Sequence, residues 1–230
     1  MFNEEAAHEL TEPLFTLFGK IPVYNFVVTM WGIMLLLIIV SWLATRKMKR
    51  IPSGVQNLME YAIESLVNFF AGMMGEERAK AYIPLLGTFF FFILISNYTG
   101  MIPGMNMFPG MKTPTADVSI TAALAIITFL SVFILGIQKK GLKFFAHFIT
   151  PFALLLPLNL IEEIVRPVSL TLRLYGNIFG EEKIGEVLGN MFGLLPLPMM
   201  FLALLTGGIQ AFVFTLLSST YIASATEDHH

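Results

Sequence analysis

Long uncharged apolar runs alternate along this chain with short polar or basic stretches. Asn25 to Thr45 carries no charge; at about 1.5 Å per residue, a helix of that length crosses a hydrocarbon core of about 30 Å. It ends at Arg46, Lys47, Lys49 and Arg50. Over 53–74, Val55, Leu58, Met59, Ala62, Ile63, Leu66, Phe69 and Phe70 recur at helical spacing opposite Gln56, Glu60, Glu64 and Asn68. That pattern suits an amphipathic helix at the membrane interface, and equally a short helix packed between spans. A second span is expected over 81–96. An external loop over 97–119, dense in glycine, proline and asparagine, follows it. A third span over 120–137 returns to Lys139, Lys140 and Lys143.

The last third differs in kind. Residues 144–189 are helical by pattern and longer than one perpendicular crossing, yet they carry Glu162, Glu163, Arg166, Arg173, Glu181, Glu182, Lys183 and Glu186. Val187 to Thr226 has no charge but is broken by Gly193, Pro196 and Pro198, so a final helix is expected over 197–221. The expected fold class is all-α: a polytopic membrane protein, single-domain over 1–230, with about five membrane-embedded helices plus one interfacial amphipathic helix. The last two helices form a long tilted hairpin.

Composition supports a membrane setting, since 56% of the 230 residues are hydrophobic and 13% are charged. Basic residues gather on one side of the expected spans: Arg46, Lys47, Lys49, Arg50, Arg78, Lys80, Lys139, Lys140 and Lys143, against Lys20 and Lys112 on the other. This asymmetry predicts an external N-terminus and a cytoplasmic C-terminus. The opening MFNEEAAHEL is acidic where a signal peptide is basic, so 1–24 reads as a retained external leader. A net charge of −2 gives no reason to expect nucleic acid. The absence of cysteine excludes thiol catalysis and thiolate metal sites. His8, His147, His229 and His230 form no credible metal set, and no phosphate-binding glycine loop or nucleophile elbow occurs. No cofactor is expected, and any nucleotide chemistry belongs to another chain.

On a wheel of about 100° per residue, Asn159, Glu162, Glu163, Arg166, Ser169, Arg173, Asn177 and Glu181 fall within one arc about a third of the circumference wide. Glu162 and Arg166 stand at i, i+4 and can pair locally. Arg173 has no acid at i±3 or i±4; the nearest along its stripe is Glu181. An intramembrane arginine costs about 2.5–3.5 kcal/mol on insertion scales, so one without a local counter-ion suggests a cation offered to a carboxylate on a different subunit. Gly176 and Gly180 beside it would let another backbone approach. Pro167 removes one helical hydrogen bond and is expected to kink the helix. On the final helix Gln210 is the strongly polar residue, which a hairpin would bring near Arg173 or Asn177.

The run RPVSLTLRLYGNIFGEE, Arg166 to Glu182, followed by Gln210 in IQAFVFTLLSSTYIA, resembles subunit a of the bacterial F-type ATP synthase. The resemblance extends to the SNYTGMIPG loop, the basic cluster after the first span and the polar tail. It implies a plasma-membrane stator subunit with two half-channels, through which H⁺ or Na⁺ reaches and leaves carboxylates on a rotating ring of c subunits. A peripheral-stalk b subunit and the lipid bilayer are the other implied partners. The resemblance assigns the essential arginine to Arg173, the neighbouring asparagine to Asn177, the outer half-channel glutamate to Glu182 and the last-helix glutamine to Gln210. It sets Glu162 and Arg166, with Ser169 on the same stripe, towards the inner half-channel. Enterobacterial members have a histidine where this chain has Ala203, so the outer half-channel is expected to use other groups, Glu181 or water. A self-contained secondary transporter for a small anion bound by Arg173 is the alternative, without an inverted repeat to support it. A purely structural membrane anchor leaves the stripe unexplained.

Overall fold

Each apolar run forms a helix because in an apolar surrounding a segment must satisfy its own backbone N–H and C=O groups. The computed structural model describes residues 15–17, 21–101, 112–141, 144, 156–191 and 196–227. Six α-helices make up most of it: α1 (Asn25–Thr45), α2 (Val55–Met74), α3 (Glu76–Thr99), α4 (Val118–Lys140), α5 (Leu156–Met191) and α6 (Pro196–Thr226). A 3₁₀ turn at Pro114–Ala116 precedes α4. A small antiparallel hairpin, β1 (Phe15–Leu17) with β2 (Ile21–Val23), leads into α1 and leaves the all-α class unchanged.

Among the described residues, four helical segments are long and apolar enough to cross a membrane: Asn25–Thr45, Glu76–Thr99, Val118–Lys140 and Pro198–Thr226. With the ionisable residues of α5 beside them, the chain is a multi-pass membrane protein. Of the helix expected over 144–189, residues 145–155 lie outside the described residues, as do all four histidines.

Boundaries differ from the sequence reading at α3, which begins at Glu76 rather than 81 and continues to Thr99 rather than 96. Glu76 and Glu77 occupy its first turn, where carboxylates complement the helix dipole. Gly75 separates α2 from α3 with φ 85°, a conformation that a side chain would disfavour, so one residue suffices for the turn. The apolar positions of α2 are divided: Leu66, Phe70 and Met74 are buried, whereas Leu58 and Tyr61 are exposed.

Two apolar clusters hold the bundle together. Around its middle, Ile33, Phe89, Phe92, Ile93, Leu124, Leu170, Leu174 and Phe214 join α1, α3, α4, α5 and α6. Towards one end, Leu66, Phe70, Met74, Leu86, Val132, Phe144 and Ile222 form the other. Helix α1 is peripheral, with Leu35, Ile38 and Trp42 all more than half exposed.

Asn97 is buried rather than looped, because its amide ties three elements. Its Nδ2 donates to the Gly207 carbonyl (2.9 Å) and its Oδ1 accepts from the Thr115 hydroxyl (2.8 Å), joining α3 to α6 and to the 3₁₀ turn. The small residues of α6 permit this approach: a Cβ on Gly207 would lie 3.2 Å from the Asn97 Cβ, and one on Gly208 2.8 Å from the Tyr98 hydroxyl. Thr128 and Ser218, 3.4 Å apart, add a hydroxyl contact between α4 and α6. Interhelical hydrogen bonds in membranes average about 0.6 kcal/mol and reach about 1.7. Asn97→Ala is therefore expected to cost about 1–2 kcal/mol, seen as earlier unfolding of the detergent-solubilised subunit in a denaturant titration. An unchanged midpoint would show that the network is not stabilising.

Candidate functional site

Helix α5 buries Leu170, Leu174 and Ile178, one turn apart, against its neighbours. This row fixes which flank of the polar stripe looks inward. Advancing about 100° per residue, Glu163 and Glu181 lie over the row and Arg173 lies on the flank turned away from it. The stripe therefore passes through two environments. Pro167 stands inside the helix, and Thr171 Oγ1 donates to the Pro167 carbonyl at 2.9 Å.

At the first end of the stripe, Arg166 is paired twice. Its Nη1 donates to Glu163 at 2.6 Å and its Nη2 to Glu162 at 2.7 Å. The guanidinium also covers the Tyr221 ring of α6, 5.0 Å from its centroid. The Glu163 side chain is 13% exposed and that of Glu162 is 61% exposed, so the inner of the two pairs is the one shielded from solvent. This cluster lies at a crevice between α4, α5 and α6 that Lys140 and Ser224 also line. Ser169 is half-buried one turn further on.

Arg173, in the middle, is exposed and makes no ion pair or hydrogen bond among the described residues. Leu172 (62% exposed), Val168 and Val165 flank it on the same outward side. Beside it, space is open around Gly176 and Gly180, with no atom within 4 Å of an added Cβ. The result is a permanent cation on an apolar face whose small residues admit another backbone.

At the far end, the Thr206 hydroxyl of α6 donates to Glu181, and both residues are half-buried. Glu181–Thr206 and Arg166–Tyr221 lie on one antiparallel register. That register sets Asn177 opposite Gln210 and brings Arg173 level with the fully buried Phe214. Of the two positions open to Gln210, beside Arg173 or beside Asn177, the register favours Asn177. Gln210 is 8% exposed. The buried Asn177 Nδ2 and Gln210 Nε2 make no hydrogen bond among the described residues, although the Asn177 side chain reaches towards Glu181. Glu182 is half-buried and engaged in an interaction of its own.

No sequence pattern gives a role to Thr206, Asn97 or Tyr221, and the i, i+4 spacing names Glu162 rather than Glu163 as the partner of Arg166. Small hydroxyl and amide groups on apolar helices carry no spacing signal that names a partner on another helix. The Glu163 contact was open to an i, i+3 reading.

Separating the two Arg166 pairs tests which one matters. Exposed pairs are worth about 0–1 kcal/mol, whereas removing one partner of a shielded pair leaves the other charge uncompensated. Glu163→Gln is expected to lower the thermal stability of the detergent-solubilised subunit clearly, and Glu162→Gln hardly at all. A larger effect of Glu162→Gln would place the stabilising contact at Glu162.

Comparison with known proteins identifies the family. The family described as ATP synthase A chain matches residues 27–223. ATP synthase subunit a of Moorella thermoacetica is 48% identical over 213 residues, covering 92% of this chain and 94% of that protein. The chain belongs to the ATP synthase A chain family, whose members are the ion-translocating stator subunits of the membrane sector of ATP synthase.

Proposed function

We propose that the outward face of α5, centred on Arg173, is presented to a ring of c subunits and separates two half-channels that carry H⁺ or Na⁺ to and from the ring carboxylates. The observation that carries this is the exposed guanidinium without a partner in its own polypeptide among the described residues. A guanidinium stays protonated, so it can favour the ionised form of a passing carboxylate without accepting the transported proton itself. An ion entering by one half-channel neutralises a ring carboxylate and rides round with it. It leaves by the other half-channel, because Arg173 favours the ionised carboxylate and the site therefore gives up its ion before it passes. One elementary charge falling through 100 mV releases about 2.3 kcal/mol, so several ions drive each ATP made elsewhere in the complex.

The charge asymmetry of the loops supports an external N-terminus and a cytoplasmic C-terminus. In that orientation α5 runs outward. The Glu162, Glu163 and Arg166 cluster then belongs to the inner half-channel, and Asn177, Glu181, Glu182 and Gln210 to the outer one. The exposed apolar surface of α1, with Leu35, Ile38 and Trp42, is available to lipid and to a peripheral-stalk b subunit.

In the assembled complex, Arg173→Ala is expected to abolish ion-driven ATP synthesis while the subunit still assembles. Full coupled synthesis by the purified variant would refute the reading. The rotor face can be mapped directly, because the chain has no cysteine of its own. Leu172→Cys, on the exposed side, is expected to crosslink to a cysteine placed on a ring helix, and Leu174→Cys, fully buried, is not. The reverse pattern would turn the helix the other way.

A further inference from the structure

The Thr206 hydroxyl has one proton and two kinds of acceptor in reach. It meets the Glu181 carboxylate across the hairpin and, on its own helix, the Leu202 carbonyl at 2.9 Å. The proton can serve one of them at a time, leaving the oxygen lone pairs to whatever else approaches. One turn further along the same α5–α6 seam lie the amides of Asn177, whose side chain reaches towards Glu181, and of the nine-tenths-buried Gln210, whose Nε2 makes no hydrogen bond among the described residues. A half-buried carboxylate, a hydroxyl with a second acceptor and two amides thus line one short seam.

We propose that Glu181 and Thr206 together form the ion-accepting station of the outer half-channel, Thr206 acting as a two-position hydroxyl. With the station empty, the hydroxyl donates to the Glu181 carboxylate and holds it against α6. When a monovalent cation arrives, the hydroxyl proton turns to the Leu202 carbonyl and a lone pair of its oxygen joins the carboxylate around the cation. For a transported proton the same turn lets the hydroxyl accept from the protonated carboxyl. No covalent bond forms or breaks in the chain except the O–H of Glu181 in the proton case. The amides of Asn177 and Gln210 then lie next on the path towards Arg173. This inference rests on the half-channel reading above. It adds a positioning residue, Thr206, to a carboxylate already expected in the outer half-channel.

Few charges compete at this place. Helix α6 contributes no Asp, Glu, Lys, Arg or His between Pro196 and Thr226. On α5 the nearby charged groups are Arg173, Glu182 and Lys183, and the 3₁₀ turn packed against α5 is flanked by Lys112 and Asp117. Lys183 lies over the Phe179 ring, 6.0 Å from its centroid. A cation in the seam therefore meets Glu181 and the Thr206 hydroxyl together.

The test is ATP synthesis by the assembled complex in vesicles, with the outer-side proton and sodium concentrations varied in turn. Thr206→Val is expected to raise the half-saturating outer concentration of the transported ion about tenfold, the worth of one hydrogen bond to a charged group, with a smaller effect on the maximal rate. Thr206→Ser is expected to restore the original value. Glu181→Gln is expected to lose the outer-side response, and Thr206→Val is expected to add nothing on that background. A Thr206→Val complex with unchanged half-saturation would overturn the inference, as would an equal effect of this change with Glu181→Gln already present. If Thr206→Val fails to assemble, Thr206→Ala is read in its place. Arg173→Ala in the same assay keeps the two readings apart. Coupling that survives it sinks the rotor-face reading, whereas coupling lost there with no response to changes at Thr206 sinks only the hydroxyl station.

Discussion

A guanidinium cannot discard its charge at physiological pH, so a helix that carries one among apolar neighbours must either pair it or present it. Helix α5 does both, seven residues apart. Arg166 is held by two carboxylates and covered by an aromatic ring from α6. Arg173 is turned outward with no partner among the described residues. The contrast is local in origin. Both arginines fall on one wheel arc, but Arg166 follows Glu162 and Glu163 by one turn, whereas no acid stands one turn from Arg173.

Much of the rest serves to hold that orientation. Helix α6 is fixed by Asn97 from α3, and it can be approached so closely because Gly207 and Gly208 lack side chains there. Helix α5 is then fixed to α6 at both ends of the stripe, through Tyr221 and Thr206. Asn97 and Arg173 are thus linked through two packed interfaces, although the two residues lie on different elements.

The fold class was legible because hydrophobic runs of bilayer length, punctuated by glycine, proline and basic residues, have few other physical solutions. The Glu162–Arg166 pair was legible too, since i, i+4 neighbours meet on any helix. Interhelical partners were not. Asn97 reads as the start of a loop beside Tyr98, Thr99 and Gly100, and only the Gly207 carbonyl and the Thr115 hydroxyl make a helical, buried position tolerable. Thr206 is one hydroxyl among many, and its meeting with Glu181 depends on an antiparallel register that no local pattern encodes. The outward turn of Arg173 likewise depends on which side of α5 is buried, a property of the bundle and not of the stripe.

The two cross-helix attachments sit fifteen residues apart on α5, about 22 Å along its axis, with Arg173 near the midpoint. Mechanically, this is a beam supported at both ends and loaded at midspan. Sideways drag on the guanidinium is shared by two anchorages as opposing reactions and is not concentrated as shear on one of them. The hairpin can flex between its supports without slipping in register, which is what a stationary element needs when something slides past it.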